Sequence, residues 1–180
     1  MIEVTFAPDY SKLADDRLNV LEYEFKTDLA KYLTARGAKY KSLDDLIKFN
    51  DDNKEKEMPK FAQELFQQSR DKGELTDKSY VDALAKVKKA TREDGIDALF
   101  TANKVDALVA PTSGATWSIA AVAGYPYITV PIGLRENTAT GMAFFGRPFS
   151  EPTLIKYAYA FEQKTKGRAT PQFLTSYPKK

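Results

Sequence analysis

Three short apolar runs, Asp106–Pro111 (DALVAP), Tyr127–Gly133 (YITVPIG) and Gly141–Gly146 (GMAFFG), lie close together between prolines and glycines, in a chain otherwise patterned as charged helix. Their β-branched and aromatic residues and their Gly/Pro boundaries predict strands. Runs with no polar alternation suit strands covered on both faces, as in a sheet flanked by helices. Pro131 lies inside the second run and has no N–H for a ladder. It requires an edge position, a bulge or an early strand end.

The rest of the chain reads mainly as helix. Glu3–Phe6 alternates like a further short strand closed by Pro8. Leu18, Leu21, Phe25, Leu29 and Leu33 recur every three or four residues and predict one apolar helix face, ended by Gly37. Ser42 and Asp45 in SLDD form a capping-box pattern for a second helix. Asn50–Glu57 (NDDNKEKE) reads as a polar surface loop or frayed turn without the ligand order of a calcium loop. Pro59 opens a third helix with Phe61, Leu65 and Phe66 inward, and Tyr80, Leu84 and Val87 mark a fourth. Lys86, Lys88, Lys89 and Arg92 read as that helix's wet face. Its apolar pattern resumes at Ile96, Leu99 and Phe100, so Gly95 reads as a bend. The last helix follows Ser150, with Pro152 in its first turn, Leu154, Ala158 and Phe161 inward, and Gly167 after its end. The expectation is an α/β fold class, a single domain over 1–180 with a short mixed sheet of three to four strands flanked by about five helices. That is a thin sheet for so much helix.

Composition narrows the chemistry. The chain has no cysteine and no histidine, which excludes thiol nucleophiles, disulfides, Cys/His zinc sites and His-based triads. Lysine and arginine number 27 against 25 acidic residues, interspersed apart from pairs such as Lys88–Lys89 and Lys179–Lys180, which argues against nucleic acid as a partner. No apolar run approaches the length that spans a bilayer, and the first residues lack a signal-peptide pattern. The expectation is no membrane partner and a cytoplasmic location. The aromatic last helix (KYAYAFEQK) is satisfied by packing on a sheet. No glycine spacing matches a dinucleotide site, so no cofactor is expected.

The segments EYEFKTDLAKYL, MPKFAQELF, GIDALFTANKVDALVAPT, AAVAGYPYITVPIG and GMAFFGRPFSEPTLIKYAYAFEQKT, in that order, resemble the C-terminal part of the amidase signature family, from about Val4 to Phe173. The resemblance implies an α/β/α layer fold on a larger mixed sheet. It implies hydrolysis of carboxamide C–N bonds by a Ser–(cis-Ser)–Lys arrangement, in which lysine and the bridging serine activate a nucleophilic serine and a Gly/Ser-rich loop supplies oxyanion donors. Those elements lie in the N-terminal portion of family members, and no position of this chain matches them, so no catalytic residue is expected here. Relatives carry a longer, small-residue-rich loop where this chain has only Ser118–Ile119 between Trp117 and Ala120. Because that loop borders the substrate cleft, Thr112, Ser113, Gly114, Trp117 and Ser118 are implied as cleft lining in a complete enzyme.

Read from the residues alone, Ser113 and Ser118 lie outside any G-x-S-x-G elbow and have no histidine to serve them; turn or pocket-wall roles suit them better. Trp117 either lines a cleft or covers the sheet, and Arg147 is expected to pair with Glu151 across a turn. Two roles follow: the C-terminal piece of an amidase-type hydrolase, inactive alone, or a noncatalytic module or split subunit. Its expected partners are an amino-terminal amidase half or further copies meeting at an exposed sheet edge, with a small amide bound only by a completed enzyme.

Overall fold

The structure, a computed structural model, describes residues 1–136 and 138–170. Asn137 of LRENTATG, the pair Lys179–Lys180 and the end of the resemblance at Phe173 lie outside the described residues. The chain divides into two compact units, one spanning Asp9–Lys89 and the other formed by Met1–Pro8 with the residues from Ala90 onward.

The first unit is helical. Asp9 caps a 3-10 turn at Tyr10–Leu13, which leads into α1 (Ala14–Ala35), with Asp15 and Asp16 at its positive end. Helix α2 (Leu43–Asp52) starts with the expected capping box: Ser42 Oγ accepts from Asp45 N at 3.1 Å, and Asp45 Oδ2 accepts from Ser42 N at 3.0 Å. A short α3 (Lys54–Glu57), α4 (Glu64–Arg70) and α5 (Lys78–Thr91) follow. Tyr80 and Val87 of α5 are buried as the pattern predicts, whereas Leu84 is only half-buried and Ala83 takes the fully buried place between them.

Three expectations fail in this unit. The buried residues of α1 are Glu22 and Tyr23, while Leu18 and Leu21 are 41% and 56% exposed. The helix turns inward the stripe that meets the Tyr80 ring, 5.4 Å from Tyr23, so the leucines of its first half stay outside. Asn50–Glu57 is the end of α2 and the short α3, separated by a turn at Asn53, rather than a loop or frayed turn. The Lys48–Asp52 ion pair at 2.8 Å and the Asn53 amide donating to Phe49 O at 2.8 Å hold the last turn of α2 as far as Asp52. The helix expected from Pro59 begins only at Glu64, leaving Phe61 and Leu65 exposed. Gln63 takes the inward place. Its amide donates to Ile47 O (3.2 Å) and Asp51 Oδ1 (2.7 Å) and accepts from Asn50 (3.0 Å), which makes burial of a polar group tolerable.

In the second unit Glu3–Phe6 forms no strand. The π-turn Arg92–Ile96 bends the chain at Gly95 (φ −109°, ψ −108°) and continues as α6 (Asp97–Asn103). Then come β1 (Leu108–Pro111), α7 (Thr116–Ala123), β2 (Tyr127–Arg135), β3 (Thr138–Phe145) and α8 (Glu151–Thr165). Sequence reading left Thr116–Ala123 without a helix. Its run of alanines favours one, and Gly124 (φ +70°) closes it, with Tyr125 N donating to Ala120 O at 2.9 Å in a Schellman arrangement.

The three strands lie in the order β1-β3-β2. The mixed directions expected of the sheet reduce, in these strands, to β1 and β2 running the same way on either side of an opposed β3, so both ladders are antiparallel. Pro131 is accommodated as the sequence demands: β2 is an edge strand, and its register slips between Pro131 and Gly133. One sheet face carries Ile128, Val130, Met142 and Phe144 beneath Leu154, Ala158 and Phe161 of α8. The other carries Tyr127 stacked on Phe145, with the Thr116 hydroxyl of α7 3.3 Å from that of Tyr127. Helix, sheet and helix therefore form layers, and only the end of β3 (Ala143, Phe144, Phe145) is buried on both sides. Two local expectations change at α8. Ser150 makes no side-chain cap but donates to Arg147 O at 2.7 Å, and Lys166 rather than Gly167 takes the left-handed cap (φ 46°).

Candidate functional site

The end of β1 and the start of α7 place the five sequence-derived site residues on one short connection. Thr112 anchors it, because its N and Oγ1 both donate to Gly141 O, at 3.0 and 3.2 Å. Gly114 N then donates to Pro111 O at 3.4 Å, and the turn delivers the chain to α7. Ser113 and Gly114 face solvent, Ser118 is partly buried, and Trp117 is 58% exposed in the first turn of the helix. A tryptophan normally hides most of its large apolar body. Here it stands in the first turn of α7, beyond the carboxyl end of β1, and such strand ends are the usual rim of a ligand crevice in layered α/β folds.

Behind this rim lies a polar network that sequence reading missed. Arg92, expected on a wet face, donates from Nε to Ala123 O at 2.6 Å and lies 5.6 Å above the Tyr125 ring. It thereby satisfies a carbonyl at the end of α7 and places a positive charge at the helix's negative end. Tyr125 donates its hydroxyl to Asp97 Oδ2 at 2.8 Å. Burial, with the Asp97 acceptor second, pushes the Tyr125 phenol up to about 12. Arg147 does not pair with Glu151. Its Nε lies 3.9 Å from Asp97 Oδ1, another guanidinium nitrogen donates to Thr101 at 3.1 Å, and the group stacks 5.2 Å over Phe100. The signal for this network was the pair of arginines beside Gly95 and Gly146, which reads as surface charge until the fold brings Asp97 and Tyr125 between them.

An exposed serine on a strand-to-helix turn, a partly buried one in α7 and a half-exposed indole can line a cleft. Among the described residues no group of acidic side chains converges closely enough to hold a metal ion, and no helix is long and apolar enough to cross a membrane.

Known proteins share this fold and sequence. The chain is 38% identical over 154 residues to a probable amidase of Arabidopsis thaliana, a match covering 84% of this chain and 30% of the relative. Its structure superimposes on the peptide amidase of Stenotrophomonas maltophilia with a TM-score of 0.88 at 38% identity, covering 96% of this chain and 37% of that one. An amidase family protein of Bacillus anthracis matches at a TM-score of 0.81 and 26% identity, over 96% of this chain and 33% of its own. No family model matches the chain. The chain is thus homologous over most of its length to amidase-type enzymes, and it spans about a third of the length of these relatives.

Proposed function

We propose that this chain is the carboxy-terminal portion of an amidase-type hydrolase acting on carboxamide C–N bonds, and that it is inactive alone. It supplies three strands, their covering helices and one wall of the substrate cleft, formed by Thr112, Ser113, Gly114, Trp117 and Ser118. The nucleophile and its activating groups come from the remaining part of the amidase fold. The observation that carries this reading is the match to a peptide amidase at a TM-score of 0.88, confined to 37% of that enzyme. The absence of cysteine and histidine fits it, since serine–serine–lysine chemistry needs neither.

A chimera tests the proposal. The matching segment of the Stenotrophomonas peptide amidase is replaced by this chain and the product assayed on peptide amides. Hydrolysis by a folded chimera is the expected result; a folded chimera without turnover overturns it.

One observation favours a second role. Neither outer edge of the sheet is paired among the described residues, and Val109, Ile132 and Leu134 on the edge strands are exposed. Unpaired strand edges with apolar side chains associate readily. A separate polypeptide completing the sheet makes the chain a split-enzyme subunit; a second copy makes it a noncatalytic module.

A further inference from the structure

The eight residues of α7 carry Trp117 and Ser118 of the cleft wall, yet the helix has little of its own to fix its angle. Its buried residues are Ile119, Ala120 and Ala123, and the single methyl of an alanine makes few of the contacts that key one element against another. No side chain caps its first turn, where the Thr116 hydroxyl lies 3.3 Å from that of Tyr127.

Its far end is gripped. Arg92 Nε donates at 2.6 Å to the Ala123 carbonyl oxygen, one of the last four in a helix, which have no partner within it. The same guanidinium lies 5.6 Å over the Tyr125 ring, and the Tyr125 hydroxyl donates to Asp97 Oδ2 at 2.8 Å. Arg92 opens the π-turn and Asp97 follows it directly. The two limbs of one bend therefore hold Ala123 and Tyr125, on either side of the left-handed Gly124. The bend is closely fitted, since a Cβ on Gly95 would fall 2.6 Å from the Ala90 carbonyl oxygen. Single π-turns recur at functional sites.

A positive charge alone would complement the negative end of α7 equally well from lysine. What lysine lacks is a planar group that donates and stacks at once.

We propose that Arg92 is a positioning residue for the cleft: with Tyr125 and Asp97 it clamps the end of α7 and so sets where Trp117, about 9 Å back along the helix, stands. The role at the cleft rests on the amidase reading; the clamp does not. Hydrogen exchange on the whole chain tests the clamp. In Arg92→Lys the α7 amides are expected to exchange about tenfold faster, the scale of one hydrogen bond to a charged group, while those of β3 are unchanged. Tyr125→Phe cuts the second limb and keeps the ring. It is expected to act in the same place, and it carries the test if the arginine variant unfolds. No change in α7, or an equal rise in α7 and β3, overturns the clamp. The role is read in the Stenotrophomonas chimera carrying Arg92→Lys. A KM for peptide amides raised about tenfold at unchanged kcat is expected, because the reacting groups come from the other part of the fold. Unchanged KM in an active chimera, or a loss confined to kcat, overturns the role. An unmodified chimera without turnover overturns the amidase reading and the role with it, while exchange still decides the clamp.

Discussion

A methyl group placed on Gly95 falls 2.6 Å from the Ala90 carbonyl oxygen and 2.7 Å from Phe6 Cε2. Neither neighbour can yield easily, since one is backbone and the other a ring packed on the bend. Gly95→Ala is therefore expected to destabilise the fold by about 1–3 kcal/mol, the usual cost of overpacking, read as a lowered midpoint in thermal or urea unfolding. Gly167 is held by a similar approach, with the Ile132 backbone 2.7 Å from its absent Cβ. This explains why glycine stands there although Lys166 makes the cap. Tyr125 adds a pH prediction. Its phenol titrates near 12 in the folded chain, against about 10 when unfolded. Between those values the unfolded state has lost a proton that the folded state keeps, so stability falls as pH rises through this window and is unaffected by this group below it. The difference between wild type and Tyr125→Phe, followed by urea unfolding at stepped pH, is expected to shrink across that window; a constant difference contradicts the assignment.

Among the elements, α2 and β2 were legible because their signals are local. A capping box is written in four consecutive residues, and Ser42→Ala is expected to cost about 1 kcal/mol, measured by chemical denaturation. Asp45, whose carboxyl the Lys41 and Ser42 donors hold below its usual value, stabilises the folded chain at neutral pH. That contribution is lost as pH falls through its lowered folded pKa. Pro131 announced both an edge and a bulge because a missing N–H admits few alternatives. The face of α1 was misread because periodicity gives the spacing of an apolar stripe but not the identity of what packs on it. Tyr23 and Glu22 won their buried place through the Tyr80 ring and Lys72, partners 57 and 50 residues away by their numbering. Helix α7 was missed because AVAGYP reads as the approach to a strand, and Arg147 was paired to its sequence neighbour because Asp97 becomes its partner only after folding. Thr112, Ser113 and Gly114 fall on a connection because β1 ends at Pro111, whereas Trp117 and Ser118 fall in the helix that sequence reading missed.

For the molecule as a whole, the layered second unit and its rim resemble part of a larger catalytic body, with strand edges open and a tryptophan turned outward. If those edges meet a second copy, sedimentation shows association that weakens when Ile132 and Leu134 are replaced by lysine; a monomer at all concentrations contradicts that role. The sole tryptophan makes Trp117 its own reporter: its fluorescence is expected to change when the chain is joined to the rest of an amidase fold and given a carboxamide ligand. The central claim, that the chain carries the wall of a cleft while its chemistry is supplied from outside, is tested most directly by assaying the purified chain alone on a panel of simple carboxamides. The account predicts no ammonia release above the buffer rate. Sustained turnover abolished by one substitution, such as Ser113→Ala or Ser118→Ala, would contradict it.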